Sequence, residues 1–366
     1  MDKQINRALN FNPGPTALPP EVLREAREQF MNYRNTGMSV MELSHRSAVY
    51  EEIHNGAIRR LRELLGISDE YKVLFLQGGA SLQFGMIPLN FLGSGQYANY
   101  LLTGSWSEKA QKEANVVGET FVGGSSKENS YRNIPDRVKL FAEDRKPEYV
   151  HVTSNNTIYG TQWRKFPDTQ DIPLVADMSS DILSRKIEVD KFSLIYAGAQ
   201  KNLGPSGVTL VILHEKMLTK EKNETPNILK YSTHAKKNSL YHTPPTFSIY
   251  MLGLMAEWVQ RQGGLEAVEK RNEWKASLIY DAIDESDGFY AGHAEENSRS
   301  LMNITFRLKS EALERQFLQE AKSYGFVGLN GHRSVGGCRV SLYNAVSPEQ
   351  CETLRDFMDE FRRRNQ

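Results

Sequence analysis

The chain has 366 residues, 39% hydrophobic and 25% charged, with 45 acidic side chains against 45 basic ones. That length suits one large and one small domain, and the composition is that of an ordinary globular protein. Zero formal net charge gives no footprint for nucleic acid or an anionic membrane, no apolar run approaches the roughly 18 residues of a spanning helix, and two cysteines, Cys338 and Cys351, cannot build a disulfide framework.

Residues 1–6 carry no apolar signal core, so a cytoplasmic chain with reduced thiols and a small-molecule ligand is expected. Phe11-Asn12-Pro13-Gly14-Pro15-Thr16 reads as a rigid turn, and a charged helical pattern follows over 21–33, with Pro20 suited to its first turn. Around Ser39-Val40-Met41-Glu42-Leu43 a short strand is expected to end in the polar cluster Ser44-His45-Arg46, where Arg46 beside His45 is a candidate anion clamp. A helix over 50–65 sets Ile53, Ala57, Ile58, Leu61 and Leu65 on one face and is closed by Gly66.

From there strands and helices alternate. Tyr71-Lys72-Val73-Leu74-Phe75-Leu76 reads as a strand that turns through Gln77-Gly78-Gly79-Ala80-Ser81 into a helix, whose N-terminal N–H groups suit a phosphate. The same plan recurs where Asn99-Tyr100-Leu101-Leu102 leads to Trp106, where Tyr149-Val150-His151-Val152-Thr153 leads to Thr157, and where Pro173-Leu174-Val175-Ala176 leads to Asp177. Apolar strands separated by helices describe a mostly parallel sheet covered on both faces, an α/β fold that binds ligands at the strands' carboxyl ends.

Phe192-Ser193-Leu194-Ile195-Tyr196 and Val208-Thr209-Leu210-Val211-Ile212-Leu213 flank Ala197-Gly198-Ala199-Gln200-Lys201-Asn202. A strongly hydrated lysine between two core strands is costly unless it is paired or used, and forming a Schiff base is one such use. With Gly79, Trp106, Thr157 and Asp177 brought to the same sheet edge, pyridoxal phosphate chemistry follows: a lysine for the imine, an aspartate for the ring nitrogen, a glycine turn for the phosphate. Helical patterns over 247–261 and 265–283 then lead to a small α+β region with strands near 303–306 and 338–342, a helix over 311–324 and a last helix from Pro348.

These motifs together resemble the phosphoserine aminotransferase family of the class V pyridoxal-phosphate-dependent aminotransferases. The resemblance runs from Phe11-Asn12-Pro13-Gly14-Pro15 through Val40-Met41-Glu42-Leu43-Ser44-His45-Arg46, Ala176-Asp177-Met178-Ser179-Ser180, Gln200-Lys201-Asn202 and His242-Thr243-Pro244-Pro245 to Gly331-His332-Arg333-Ser334. It implies a fold-type I transferase, with a large cofactor domain over 16–262, a small C-terminal domain over 263–366 and an N-terminal arm, 1–15, packed on the latter. It implies Lys201 as the Schiff-base lysine, Asp177 at the ring nitrogen and Trp106 stacked on the ring. Thr157 would meet the ring hydroxyl side, and Ala80, Ser81, Ser179 and Gln200 would surround the phosphate. His242 and Thr243 would reach that phosphate from the partner of a homodimer with shared active sites.

Arg339 would take the substrate's α-carboxylate, and His45, Arg46, His332 and Arg333, the last two assigned to the partner, its remote anion. Where one branch of the family has asparagine this chain has His242, and where that branch has a pocket arginine it has Ser81. The implied reaction moves the amino group of L-glutamate to 3-phosphohydroxypyruvate, and some members also use the phosphorylated four-carbon oxo acid of vitamin B6 synthesis. No metal, nucleic acid or membrane is expected. The alternatives are a cysteine desulfurase, for which Cys338 in an apparent strand is poorly placed, an alanine:glyoxylate-type aminotransferase, and a non-catalytic regulator.

Overall fold

The computed structural model describes residues 7–142 and 145–366. The chain begins with β1 (Leu9–Asn10), α1 (Pro20–Glu28) and α2 (Ala48–Leu65), and then alternates through β2 (Tyr71–Leu76), α3 (Gly79–Phe91), β3 (Tyr97–Leu102), α4 (Ser105–Val117) and β4 (Glu119–Ser125). Next come β5 (Val150–Thr153), the short hairpin β6 (Asn155–Asn156) and β7 (Thr161–Gln162), β8 (Leu174–Asp177), β9 (Leu194–Gly198) and β10 (Thr209–His214). Four helices follow, α5 (Glu215–Leu218), α6 (Tyr231–Lys236), α7 (Thr246–Arg261) and α8 (Gly264–Asp284). The chain ends with β11 (Tyr290–Gly292), β12 (Asn303–Leu308), α9 (Glu311–Ser323), β13 (Phe326–Val327), β14 (Cys338–Ser341) and α10 (Pro348–Asn365).

The central sheet has seven strands in the order β2-β10-β9-β8-β5-β3-β4. All its pairs are parallel except those of β10, which runs antiparallel to both β2 and β9. β9 and β10 are joined directly by residues 199–208 with no crossover helix, and only an antiparallel pair can be closed by so short a return. The carboxyl ends of β2, β3, β5, β8 and β9 therefore share one edge of the sheet.

Alternate strand residues feed opposite faces. Val73, Phe75, Leu174, Ala176, Ile195, Ala197, Leu210 and Ile212 pack with α2 and α7, whereas Leu74, Val175, Leu194, Tyr196, Val211 and Leu213 pack with α3 and α4. A third cluster joins β12, β14, α9 and α10 with Phe11 of the arm. Helix α8 serves two clusters, giving Leu265 and Val268 to the first and Ala276, Leu278 and Ile279 to the third. Residues 1–6 of the expected arm lie outside the described residues; its remainder pairs β1 in parallel with β13.

Two expected elements differ. The helix expected over 21–33 stops at Glu28: the Gln29 side chain accepts from Arg34 N at 2.8 Å and the Asn32 side chain from Gly37 N at 2.7 Å, offering the backbone an alternative to helix. Tyr33 instead sits in a 3-10 turn, edge-on to Tyr250 at 5.6 Å. The strand expected near 39–43 is also a 3-10 turn, Val40–Glu42, closed by a capping box in which Ser39 Oγ accepts from Met41 N and Ser39 N donates to Glu42 Oε2 at 2.8 Å.

Candidate active site

At the shared strand edge lies a cavity of about 320 Å³, and ten of the residues expected from the sequence line it: Ala80, Ser81, Trp106, Thr157, Asp177, Ser179, Gln200, Lys201, His332 and Arg339. Lys201 reaches it from the β9–β10 return. Its Nζ donates to Thr157 Oγ1 at 2.8 Å. Burial lowers its pKa from the usual 10.5 to about 8; Asp177 opposes that shift and Arg339 adds to it. More of this amine is thus neutral near physiological pH than of an ordinary lysine.

Asp177 ends β8 and is only 5% exposed. Both donors of Ser179, its N–H at 2.9 Å and its hydroxyl at 2.6 Å, converge on Oδ1, which leaves Oδ2 to the cavity. Burial raises the Asp177 pKa, against the lowering effect of Ser179 and Lys201. Behind it, Gly198 N donates to Ser179 Oγ at 3.0 Å, tying the two strand ends together.

The first turn of α3 faces the same space. Gly78, its N-cap, has φ +83°, and a Cβ there would meet Leu82 at 2.6 Å, so the turn requires glycine. The first N–H groups of the helix have no acceptor within it and point out of its positive end. Across the cavity, Arg339 on β14 is 6% exposed and faces inward, with Nη1 donating to Thr157 O at 3.3 Å. Burial lowers its pKa, and its Nε is buried without a hydrogen-bond partner.

Five expected residues do not line this chain's cavity. His45 and Arg46 precede the N-cap of α2, and Arg333 is exposed. His242 packs edge-on to His234 at 5.9 Å, and Thr243 O accepts from Gln77 Nε2 at 3.4 Å. His332, assigned from the sequence to the partner, stands in this chain's own cavity. Other lining residues were not assigned to the site from the sequence, among them Pro13, Gly14, Phe84, Thr153 and Asn155. The arm turn is bonded to the lysine loop, Thr16 Oγ1 to Lys201 O at 2.8 Å and Thr16 N to Gln200 O at 3.2 Å, and a Cβ on Gly14 would meet Lys201 Cγ at 3.4 Å. The rigid Pro-Gly-Pro turn was the available signal; its target far along the chain was not.

The profile of the class-V aminotransferase family matches residues 8–354. The phosphoserine aminotransferase of Lysinibacillus sphaericus is 63% identical over 361 residues, covering 98% of this chain and 99% of that protein. This chain belongs to the phosphoserine aminotransferase family. Two solved members of the family share its architecture. The phosphoserine aminotransferase from Bacillus circulans subsp. alkalophilus superposes with a TM-score of 0.96 at 55% identity, covering 98% of this chain and 99% of that one. The enzyme from Trichomonas vaginalis, solved with PLP bound, gives 0.91 at 37% identity, covering 96% of this chain and 100% of that one. The fold is therefore that of the fold-type I transferases, a mostly parallel sheet between helices with a smaller C-terminal α+β region, as the resemblance implied.

Proposed function

We propose that the chain transfers the amino group of L-glutamate to 3-phosphohydroxypyruvate, giving 2-oxoglutarate and O-phospho-L-serine, with pyridoxal 5'-phosphate as cofactor. One observation carries this reading: a lysine of lowered pKa, a buried carboxylate with a free oxygen, a helix N-terminus and an inward arginine share one cavity. The residues fit a planar, phosphate-bearing aldehyde. Trp106 lines the cavity with a planar side chain, Gly14 leaves room beside the Lys201 stem, and Thr153 Oγ1 is buried without a partner.

When bound, the cofactor supplies a carbonyl for the amino group and a ring that withdraws electrons from the substrate's α-carbon. The N–H groups of Ala80 and Ser81 would hold its phosphate, with Ser179 and Gln200 nearby, and Thr157 would meet the ring hydroxyl side. Asp177 Oδ2 would keep a proton on the ring nitrogen, whose positive charge offsets the desolvation of the carboxylate. Lys201 Nζ, as a free amine, would carry a proton from the α-carbon. Arg339 would grip the α-carboxylate with paired donors, which a lysine cannot do.

A second copy of the chain completes the site in this reading. His45, Arg46, His242 and Thr243 stand off this chain's cavity, and the exposed apolar side chains Phe30, Met31, Met38 and Met41 lie close to His45 in sequence, as an interface would require. Cys338 and Cys351 are buried and unpaired, which supports a cytoplasmic setting. Burial also pushes the Cys338 thiol up, against the desulfurase alternative.

The test is to load the protein with cofactor, supply glutamate and 3-phosphohydroxypyruvate, and follow phosphoserine by chromatography. Turnover of alanine with glyoxylate but no phosphoserine would reject this reading in favour of the alanine:glyoxylate alternative.

A further inference from the structure

One cation held against a cavity-lining side chain is not accounted for by these assignments. Lys109 lies on α4 one turn after Trp106, and its Nζ is 4.3 Å from the Trp106 ring centroid. Helical side chains lean toward the N-terminus of their helix, and here that direction is toward Trp106, which lines the cavity. Its sequence neighbour Glu108 is already held by Lys127 at 2.7 Å and Tyr131 OH at 2.7 Å. Among the described residues neither Lys109 nor Arg333 has a carboxylate partner.

The neighbouring charge has the same sign. His332 lines the cavity with its Nδ1 engaged by Ser334 Oγ at 2.7 Å, which turns Nε2 outward from that contact. Its pKa is lowered by burial and then by Arg339, Arg333 and Lys109, so all four groups share one field. The lining residues include Lys201 and Arg339 but a single carboxylate, Asp177, and Ser81 adds no charge. Cations without a carboxylate partner that share one field repel one another until an anion joins them.

We propose that Lys109 is a specificity-determining residue that binds the remote phosphate of the substrate from the α4 side of the cavity. Resting on the Trp106 face, the ammonium is kept beside the site without a competing carboxylate. A phosphate dianion draws it more strongly than the second carboxylate of glutamate does, so Lys109 favours the phosphorylated substrate. It supplies the charge that Ser81 lacks. The assignment rests on the proposed reaction.

The experiment compares the loaded wild type with Lys109→Met and Lys109→Arg, measuring kcat/KM for O-phospho-L-serine, L-glutamate and L-alanine. Lys109→Met should lower the phosphoserine-to-alanine ratio roughly tenfold or more, mainly through KM, and the glutamate-to-alanine ratio by less; Lys109→Arg should recover most of the loss. Calorimetric titration of the loaded enzyme with inorganic phosphate should show the same order, wild type and Lys109→Arg binding more tightly than Lys109→Met. If the wild type prefers phosphoserine and Lys109→Met keeps that preference and its phosphate affinity, Lys109 is not the phosphate ligand. A wild type with no preference for phosphoserine over alanine overturns the proposed reaction and this assignment with it.

Discussion

Lys201 combines a hydrogen bond to Thr157 with burial that lowers its pKa to about 8. The cofactor's aldehyde is attacked only by the neutral amine. Its reloading onto the stripped enzyme should therefore accelerate as pH rises, with a midpoint near 8 in place of the ordinary 10.5. Stopped-flow absorbance of the loaded band measures this, and a midpoint still near 10.5 would show that Lys201 is solvated in the empty site; Lys201→Ala should give no such band. At Asp177 the geometry separates two roles, since Oδ1 takes both Ser179 donors while Oδ2 faces the cavity. Asp177→Asn keeps the acceptor for Ser179 but not the charge. It should bind cofactor yet lose turnover by roughly a hundred- to ten-thousandfold, and full turnover at full occupancy would reduce Asp177 to a turn residue. Lys201 and Asp177 were legible in the sequence because residue type and the strand-end rule agree at each. Thr16 and Gly14 were not legible as site residues, because what they touch is fixed by how the arm folds across the molecule.

At the scale of elements, α8 links the cores, and one polar side chain on its buried stripe does more than pack. Lys275 is fully buried, and its Nζ donates to Leu342 O, Tyr343 O and Val346 O at 2.9, 2.9 and 3.0 Å. That turn follows β14, and it sends Tyr343 OH to Pro13 O and Asn344 N to Asn202 Oδ1, beside Lys201. Lys275→Met would leave Leu342 O and Val346 O without this donor, while Tyr343 O still accepts from Val346 N, and should lower the free energy of unfolding by on the order of 3 kcal/mol in denaturant titrations. Burial depresses the Lys275 pKa to about 7. Between about 7 and 10.5 the unfolded chain therefore binds more protons than the folded one, and the contribution to stability from this group grows as pH rises through that window. Lys275→Met should flatten that rise; an unchanged slope would mean the three carbonyls keep the lysine protonated in the fold. The sequence held a signal, since position 275 falls at helical spacing from the buried Val268, Asn272 and Ile279. Ser39 and Glu42 likewise spelled a capping box, although the apolar Val40, Met41 and Leu43 had read as a short strand.

For the whole molecule the mostly parallel sheet covered on both faces followed from apolar runs separated by helices, whereas the residues that a second chain would lend come only from the family resemblance, because nothing local marks them. The proposed shared-site dimer predicts complementation. Chains carrying Lys201→Ala, co-refolded with chains carrying His242→Ala and Thr243→Ala, should form hybrids with one intact site and regain up to about a quarter of wild-type activity for random pairing. Hybrids demonstrated by mass spectrometry yet inactive would show each chain works alone. The arm carries a different consequence. Leu9 and Asn10 find their strand partners in Phe326 and Val327, and the wall opposite Lys201 is furnished by His332 and Arg339. During synthesis the first of these segments leaves the ribosome long before the others exist. The cavity accordingly closes only on a finished chain, so a truncated or still-nascent copy holds the reactive lysine without the walls that would let it capture cofactor or substrate.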